Sequence, residues 1–211
     1  DRVDHIRLPG VTKLTDGSYA SEALGLDIDE TTALRAGLIR AAAENFEPDL
    51  VIVDKEPNGF RGELMETLAW LRANTNAKLV LGLRDVLDEG ETLAAEWDRK
   101  GAVAAMRDFY HDIWVYGLES IYNPLQGVSY PEEINHRMHY TGYLRRETWD
   151  HVRDVDVETY ILVTPGGGGD GARLVDQVLR AYEADPTLTP TAHIIYGPFL
   201  SGETRTQFED R

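Results

Sequence analysis

The sequence predicts an α/β protein in which parallel strands alternate with helices, and three observations carry that expectation. Short, nearly unbroken apolar runs recur at Leu50–Val53, Lys78–Leu83 and Asp112–Tyr116, as in parallel strands that are covered on both faces. The segments between them are long enough for helical crossovers and too long for hairpin turns. Finally, Tyr160 to Leu179 reads as strand, glycine turn and helix: an apolar run to Val163, four glycines from Gly166 to Gly169, and then Leu174, Val175, Val178 and Leu179 at helical spacing.

In chain order, VDHIRL (Val3–Leu8) alternates weakly and ends at Pro9-Gly10, which predicts a strand leading into a loop over residues 10–26. Asp27 or Asp29 then caps a helix with Leu34, Leu38, Ile39, Ala42 and Phe46 on one face, stopped at Pro48. A strand ends at Asp54, and the loop KEPNGFRG follows it. Glu63–Asn74 is the next helix, KLVLGL the next strand, Glu91–Tyr110 one long helix, and DIWVY a third strand. Residues 118–137 are irregular around Pro124 and Pro131, and Met138–Tyr140 is a short strand. Residues 144–158 are polar and weakly periodic and read as a linker. The glycine stretch opens a second unit, with a helix to about Tyr182, a strand at Ala192–Tyr196, and a terminal RTQFEDR that reads as a helix just begun. Such alternation implies a doubly wound sheet, in which ligands sit beyond the carboxyl ends of the strands.

Composition narrows the functions. The 211 residues carry 21 basic and 37 acidic side chains, a net charge of −16, so nucleic-acid backbones are unsuitable partners and a membrane is met at most transiently. The chain has no cysteine, which removes disulfides, thiolate metal sites and a cysteine nucleophile. The six histidines show no ligand-like spacing, so no metal site is expected. No long apolar run or signal peptide is present, and a cytoplasmic location is the expectation.

The glycine run admits close backbone approach to a ligand, and the helix behind it aims free N–H groups at an anion. Gly166, Gly168 and Gly171 match a dinucleotide fingerprint, but the following strand ends Ile195-Tyr196-Gly197 without the acid that holds a ribose. Asp170-Gly171-Ala172 replaces the Gly-Lys-Ser/Thr of a P-loop. A diphosphate held by backbone amides around Gly166, Gly167, Gly168, Gly169 and Gly171 remains, with Asp170 turned away as a helix cap. In the first unit, Asp54, Lys55, Glu56 and Arg61 follow one strand and Arg84-Asp85 the next. Glu56 or Asp54 is a candidate general base, and Lys55 or Arg84 a candidate anion contact. Mutual salt bridging that orders these loops is the competing reading. Tyr116, Thr141 and Tyr143 also follow strands.

As an ordered set, FEPDLVIVDKEPNGFRGEL, KLVLGLRDVLD, DIWVYG, HYTGYLRR and ILVTPGGGGDGARLVDQVL with HIIYGPF resemble a family of glycosyltransferases. This family comprises two-domain, GT-B nucleotide-sugar enzymes related to the N-acetylglucosaminyltransferase that completes lipid II. The resemblance runs from about Leu8 to Phe199. It implies two Rossmann-like parallel-sheet domains, both incomplete here: residues 1–143 on the acceptor side, a linker over 144–158, and 159–211 opening the donor-nucleotide domain. It implies metal-independent, inverting transfer of a sugar from a nucleotide-sugar, with a UDP-linked sugar as the expected donor and no cofactor. The glycine loop then holds the donor diphosphate, and Lys55, Arg61, Arg84, Asp85, Thr141 and Tyr143 line the acceptor side. The family's first strand would precede Asp1 and most of its donor domain would follow Arg211, so this fragment alone is expected to be inactive. A nucleotide-sugar 2-epimerase and a non-catalytic nucleotide-sugar-binding module are the alternatives.

Overall fold

The computed structural model describes residues 4–14, 18–22, 25–87, 90–145, 159–166, 171–198 and 200–211. The chain forms two compact units, residues 1–147 and 148–211. The predicted linker falls almost wholly on residues outside those described.

The first unit opens with an antiparallel hairpin, β1 (Val11–Lys13) and β2 (Tyr19–Ser21), in the stretch expected to be a loop. The strand expected at Val3–Leu8 is not formed among its described residues. Helix α1 (Ile28–Phe46) starts at Asp27, whose carboxylate accepts from the Asp29 and Glu30 N–H groups, while Glu30 reaches back to the Asp27 N–H. This capping box fixes the start that sequence left between two aspartates. Strand β3 (Leu50–Asp54), a 3₁₀ turn at Phe60–Gly62, α2 (Met65–Asn74) and β4 (Lys78–Arg84) follow. The long helix expected next is two: α3 (Gly90–Lys100) and α4 (Ala102–Phe109), broken where Gly101 takes φ 64°, a conformation that glycine adopts without strain. Strand β5 (Asp112–Tyr116), a 3₁₀ segment at Glu132–Arg137 and β6 (Met138–Tyr140) complete the unit.

Strands β3, β4, β5 and β6 form one parallel sheet in chain order. A strand order that never reverses, joined by right-handed crossovers, puts every crossover on the same face. Accordingly Val53, Leu79, Leu81, Leu83, Ile113 and Val115 are buried with Leu68, Leu71, Leu93, Trp97 and Met106 in a single core. Register places Leu50, Ile52, Val80, Gly82, Trp114 and Tyr116 on the opposite face, where Leu50 and Ile52 are each 47% exposed. The described helices therefore wind the sheet on one side, where sequence implied two.

The second unit contains β7 (Ile161–Val163), α5 (Ala172–Ala184), β8 (Ala192–Ile194) and α6 (Gly202–Glu209). β7 and β8 pair in parallel, Val163, Val175 and Phe208 are buried, and the terminal segment is a formed helix capped by Ser201. No described helix in either unit is long and apolar enough to cross a membrane.

Candidate functional site

The segment after β3 is the most constrained polar loop among the described residues. Lys55 takes φ 64° and Arg61 φ 50°, left-handed conformations that cost a non-glycine residue of order 1 kcal/mol each and persist where the surroundings enforce them. The surroundings are visible. The Lys55 N–H donates to Gly82 O, the Glu56 N–H to Asp54 O, and the Leu64 N–H to Asn58 O. The buried Tyr110 hydroxyl donates to Pro57 O at 2.6 Å, and burial pushes that phenol well above its ordinary value. Gly59 sits at φ 68° with the Leu64 side chain 2.6 Å from where a Cβ would stand, so only glycine fits there.

This loop walls a cavity of about 650 Å³, with Tyr19, Lys55, Glu56, Phe60, Arg61 and Lys100 among its lining. Tyr19 arrives on β2 and packs edge-on to Phe60 at 4.9 Å. Lys100 donates to Glu56 at 3.0 Å and also to Glu96. Burial alone lowers the Lys100 pKa, but its hydrogen bonds to Glu96 and Glu56 outweigh that and raise it. The Lys100 hydrogen bond holds Glu96 below the ordinary carboxylate range. Glu56 is thus oriented by the Lys100 ammonium. Arg61 pairs with Asp29 at 2.6 Å. Lys55 forms no ion pair within 4 Å among the described residues, and its charge adds to the lowering of the Glu96 pKa. Asn58 donates to Lys100 O at 2.6 Å and leaves its Oδ1 buried and unpaired. Beneath the loop, Arg35 forks onto both oxygens of Glu63 at 2.5 and 2.8 Å and also donates to Pro9 O. That pair is 15% and 6% exposed.

The other predicted residues of this unit also lie at the carboxyl ends of the strands, but outside this cavity's lining. Arg84 faces Asp54 at 3.8 Å, both well exposed, so this pair follows the salt-bridge reading and adds little stability. The Tyr143 hydroxyl donates to Asp85 at 2.8 Å, which raises the phenol's pKa. Thr141 donates to Val115 O at 3.2 Å. Tyr116 packs its hydroxyl end over Gly82, where a Cβ would stand 2.4 Å from the oxygen.

In the second unit, Gly166 takes φ 65° and Gly171 begins α5 with no capping side chain. Among the described residues, the N–H groups of Ala172, Arg173 and Leu174 have no acceptor, the first bond of the helix running from Val175 to Gly171. No acidic residue occupies the first turn. Gly167, Gly168 and Gly169 lie outside the described residues. No group of three or more His, Asp or Glu side chains suited to a metal occurs among the described residues. His139 pairs with Asp112 at 3.1 Å, and His193 stacks edge-on to Tyr160.

Lys100, Asn58, Glu96 and Tyr19 are the cavity residues that sequence reading missed. Lys100 was hidden by the unbroken helix reading, although Gly101 behind it marks the break. Tyr19 was hidden in a stretch that lacked strand periodicity. Comparison with protein-family models, curated proteins and solved structures finds no match for the chain.

Proposed function

We propose that the protein is a nucleotide-sugar glycosyltransferase in which the first unit binds the acceptor and the second binds the donor diphosphate. The observation that carries this reading is the strained Lys55–Gly62 loop. It presents the Lys55 ammonium and an oriented carboxylate to one open cavity at the carboxyl end of a parallel strand. An acceptor rich in hydroxyls suits that set, because the carboxylate accepts a proton and the ammonium takes an acidic substituent. Glu56 is the base in this reading. It removes the acceptor hydroxyl proton as that oxygen bonds to the anomeric carbon, and the nucleoside diphosphate departs with the electron pair of the broken bond. The first turn of α5, whose Ala172, Arg173 and Leu174 N–H groups have no acceptor among the described residues, stabilises the departing charge in place of a metal. The resemblance to GT-B enzymes supports the same division of labour.

The test is incubation of the full-length gene product with UDP-sugars and candidate hydroxyl acceptors, followed by product analysis. A glycoside formed with release of UDP, unaffected by EDTA, is the expected result. A 2-epimer formed without acceptor would replace transfer with epimerisation, and tight binding without turnover would leave a binding module.

A further inference from the structure

Helix α4 is short and starts abruptly, and both features bear on Glu56. The first bond into α4 runs from the Ala105 N–H to Gly101 O, so the Lys100 carbonyl stands outside that helix and accepts from Asn58 at 2.6 Å. Had α3 continued through residue 101, the same carbonyl would be drawn into the i→i−4 ladder. The break lies at Gly101, with φ 64°, in the left-handed region that glycine takes without strain. No described atom lies within 4 Å of where a Cβ on Gly101 would stand, so backbone conformation and not space restricts this position. At the far end of α4, Tyr110 is 1% exposed and its hydroxyl donates to Pro57 O at 2.6 Å. The residues that flank α4 thus grip three consecutive loop residues. Lys100 Nζ donates to the Glu56 carboxylate at 3.0 Å, Tyr110 holds Pro57 O, and Lys100 O holds the Asn58 amide.

We propose that α4 is a bracket that fixes the Glu56 carboxylate, with Tyr110 and Gly101 as its positioning residues; the consequence for catalysis rests on Glu56 being the base of transfer. The loop needs such a bracket because it is strained. Lys55 just before Glu56 and Arg61 beyond it are both left-handed, and such conformations persist only where the surroundings enforce them. Pro57 is buried. Without the Tyr110 hydroxyl its carbonyl is a desolvated acceptor with no donor, and the loop relieves that cost by turning the carbonyl toward water. Glu56 is the preceding residue and moves with that backbone, away from Lys100. Neither Tyr110 nor Gly101 lines the cavity. Their effect therefore falls on the aim of the carboxylate and not on the hold on the acceptor.

The experiment has two readouts. On the isotope-labelled chain, the Lys100 ammonium is titrated by NMR, because its hydrogen bonds to Glu96 and Glu56 raise its pKa and loss of one of them lowers it. On the full-length gene product, kcat and KM of transfer are measured. Tyr110→Phe keeps the ring in the core. It should let Lys100 titrate at lower pH than in the parent and should lower kcat by about tenfold or more with KM little changed. Gly101→Val should do the same. Gly101→Asn, which tolerates the left-handed region, should recover the parent values in both readouts. Ile113→Val loosens the core away from the loop and should move neither readout, which separates positioning from loss of stability. A parent-like Lys100 titration in Tyr110→Phe overturns the proposal whether or not transfer is observed. An effect of Ile113→Val equal to that of Tyr110→Phe overturns it as well. Parent-like transfer by Glu56→Gln, with Lys100 still lowered in Tyr110→Phe, overturns the base reading alone and leaves the bracket in place.

Discussion

Two strand–loop–helix connections, one in each unit, use opposite chemistry. Between β3 and α2 the loop is held by side chains: Arg35 on Glu63, Tyr110 on Pro57 O, Asn58 on Lys100 O, and Lys100 on Glu56. The result is a rigid wall that offers charged and amide side chains to a cavity. Between β7 and α5, the described ends of the connection offer backbone, with a left-handed Gly166 before it and an uncapped Gly171 after it. Side-chain walls discriminate among hydroxylated and acidic groups by position. Bare amides at a helix start suit a phosphate, whatever it is attached to. The contrast is what a two-substrate transferase needs, a selective side and a generic diphosphate side, and it can be attacked one connection at a time.

The largest effect is expected from Glu63→Ala. It strands the nearly buried guanidinium of Arg35 and releases the base of the 55–62 loop. Unfolding in urea should show a loss of about 3 kcal/mol, in the range for breaking a buried pair from one side. A loss below about 1 kcal/mol would mean that the loop is held without this pair. Gly166→Val comes next, because a β-branched residue is strained at φ 65°. It should weaken UDP binding by about tenfold or more while leaving the first unit's unfolding midpoint unchanged. Lys100→Met is smaller. Both partners of its bridge to Glu56 are about one-third exposed, so stability should fall by under about 1 kcal/mol. The rate of transfer should nevertheless fall, since Glu56 loses its orienting cation. The smallest effect concerns His111, a residue outside both connections. Its Nδ1 accepts the Leu79 N–H, and burial, with Arg72 and Lys78 nearby, lowers its pKa. The unfolded chain then binds the proton more readily than the folded one. Stability is full above about pH 6.5, the ordinary histidine value, and declines as pH falls through the lowered one. His111→Gln should flatten that decline.

The parallel strands, the cap near Asp27 and the second helical unit were legible in the sequence because apolar runs and capping residues are local signals. β1 and β2 were not, since three-residue strands carry too little periodicity to register. The break at Gly101 was missed because the apolar spacing continues across it from Trp97 to Met106. Of the candidate site, Lys55, Glu56 and Arg61 were found by their position after a strand. Lys100 meets them only through the packing of α3 against the loop, where Asn58 donates to its carbonyl from 42 residues away in sequence, a contact that no local pattern encodes. The one-sided winding was likewise invisible, because Leu50 and Ile52 read as buried until the sheet order leaves them at an edge.

The most direct test of the division between side-chain and backbone recognition is calorimetric titration of UDP into the chain and into its Gly166→Val and Lys55→Ala variants. The account predicts that UDP binds the parent chain, that Gly166→Val loses about tenfold or more in affinity, and that Lys55→Ala binds UDP unchanged. Equal affinity in the parent and Gly166→Val, or loss only in Lys55→Ala, would place the diphosphate in the first unit and contradict it.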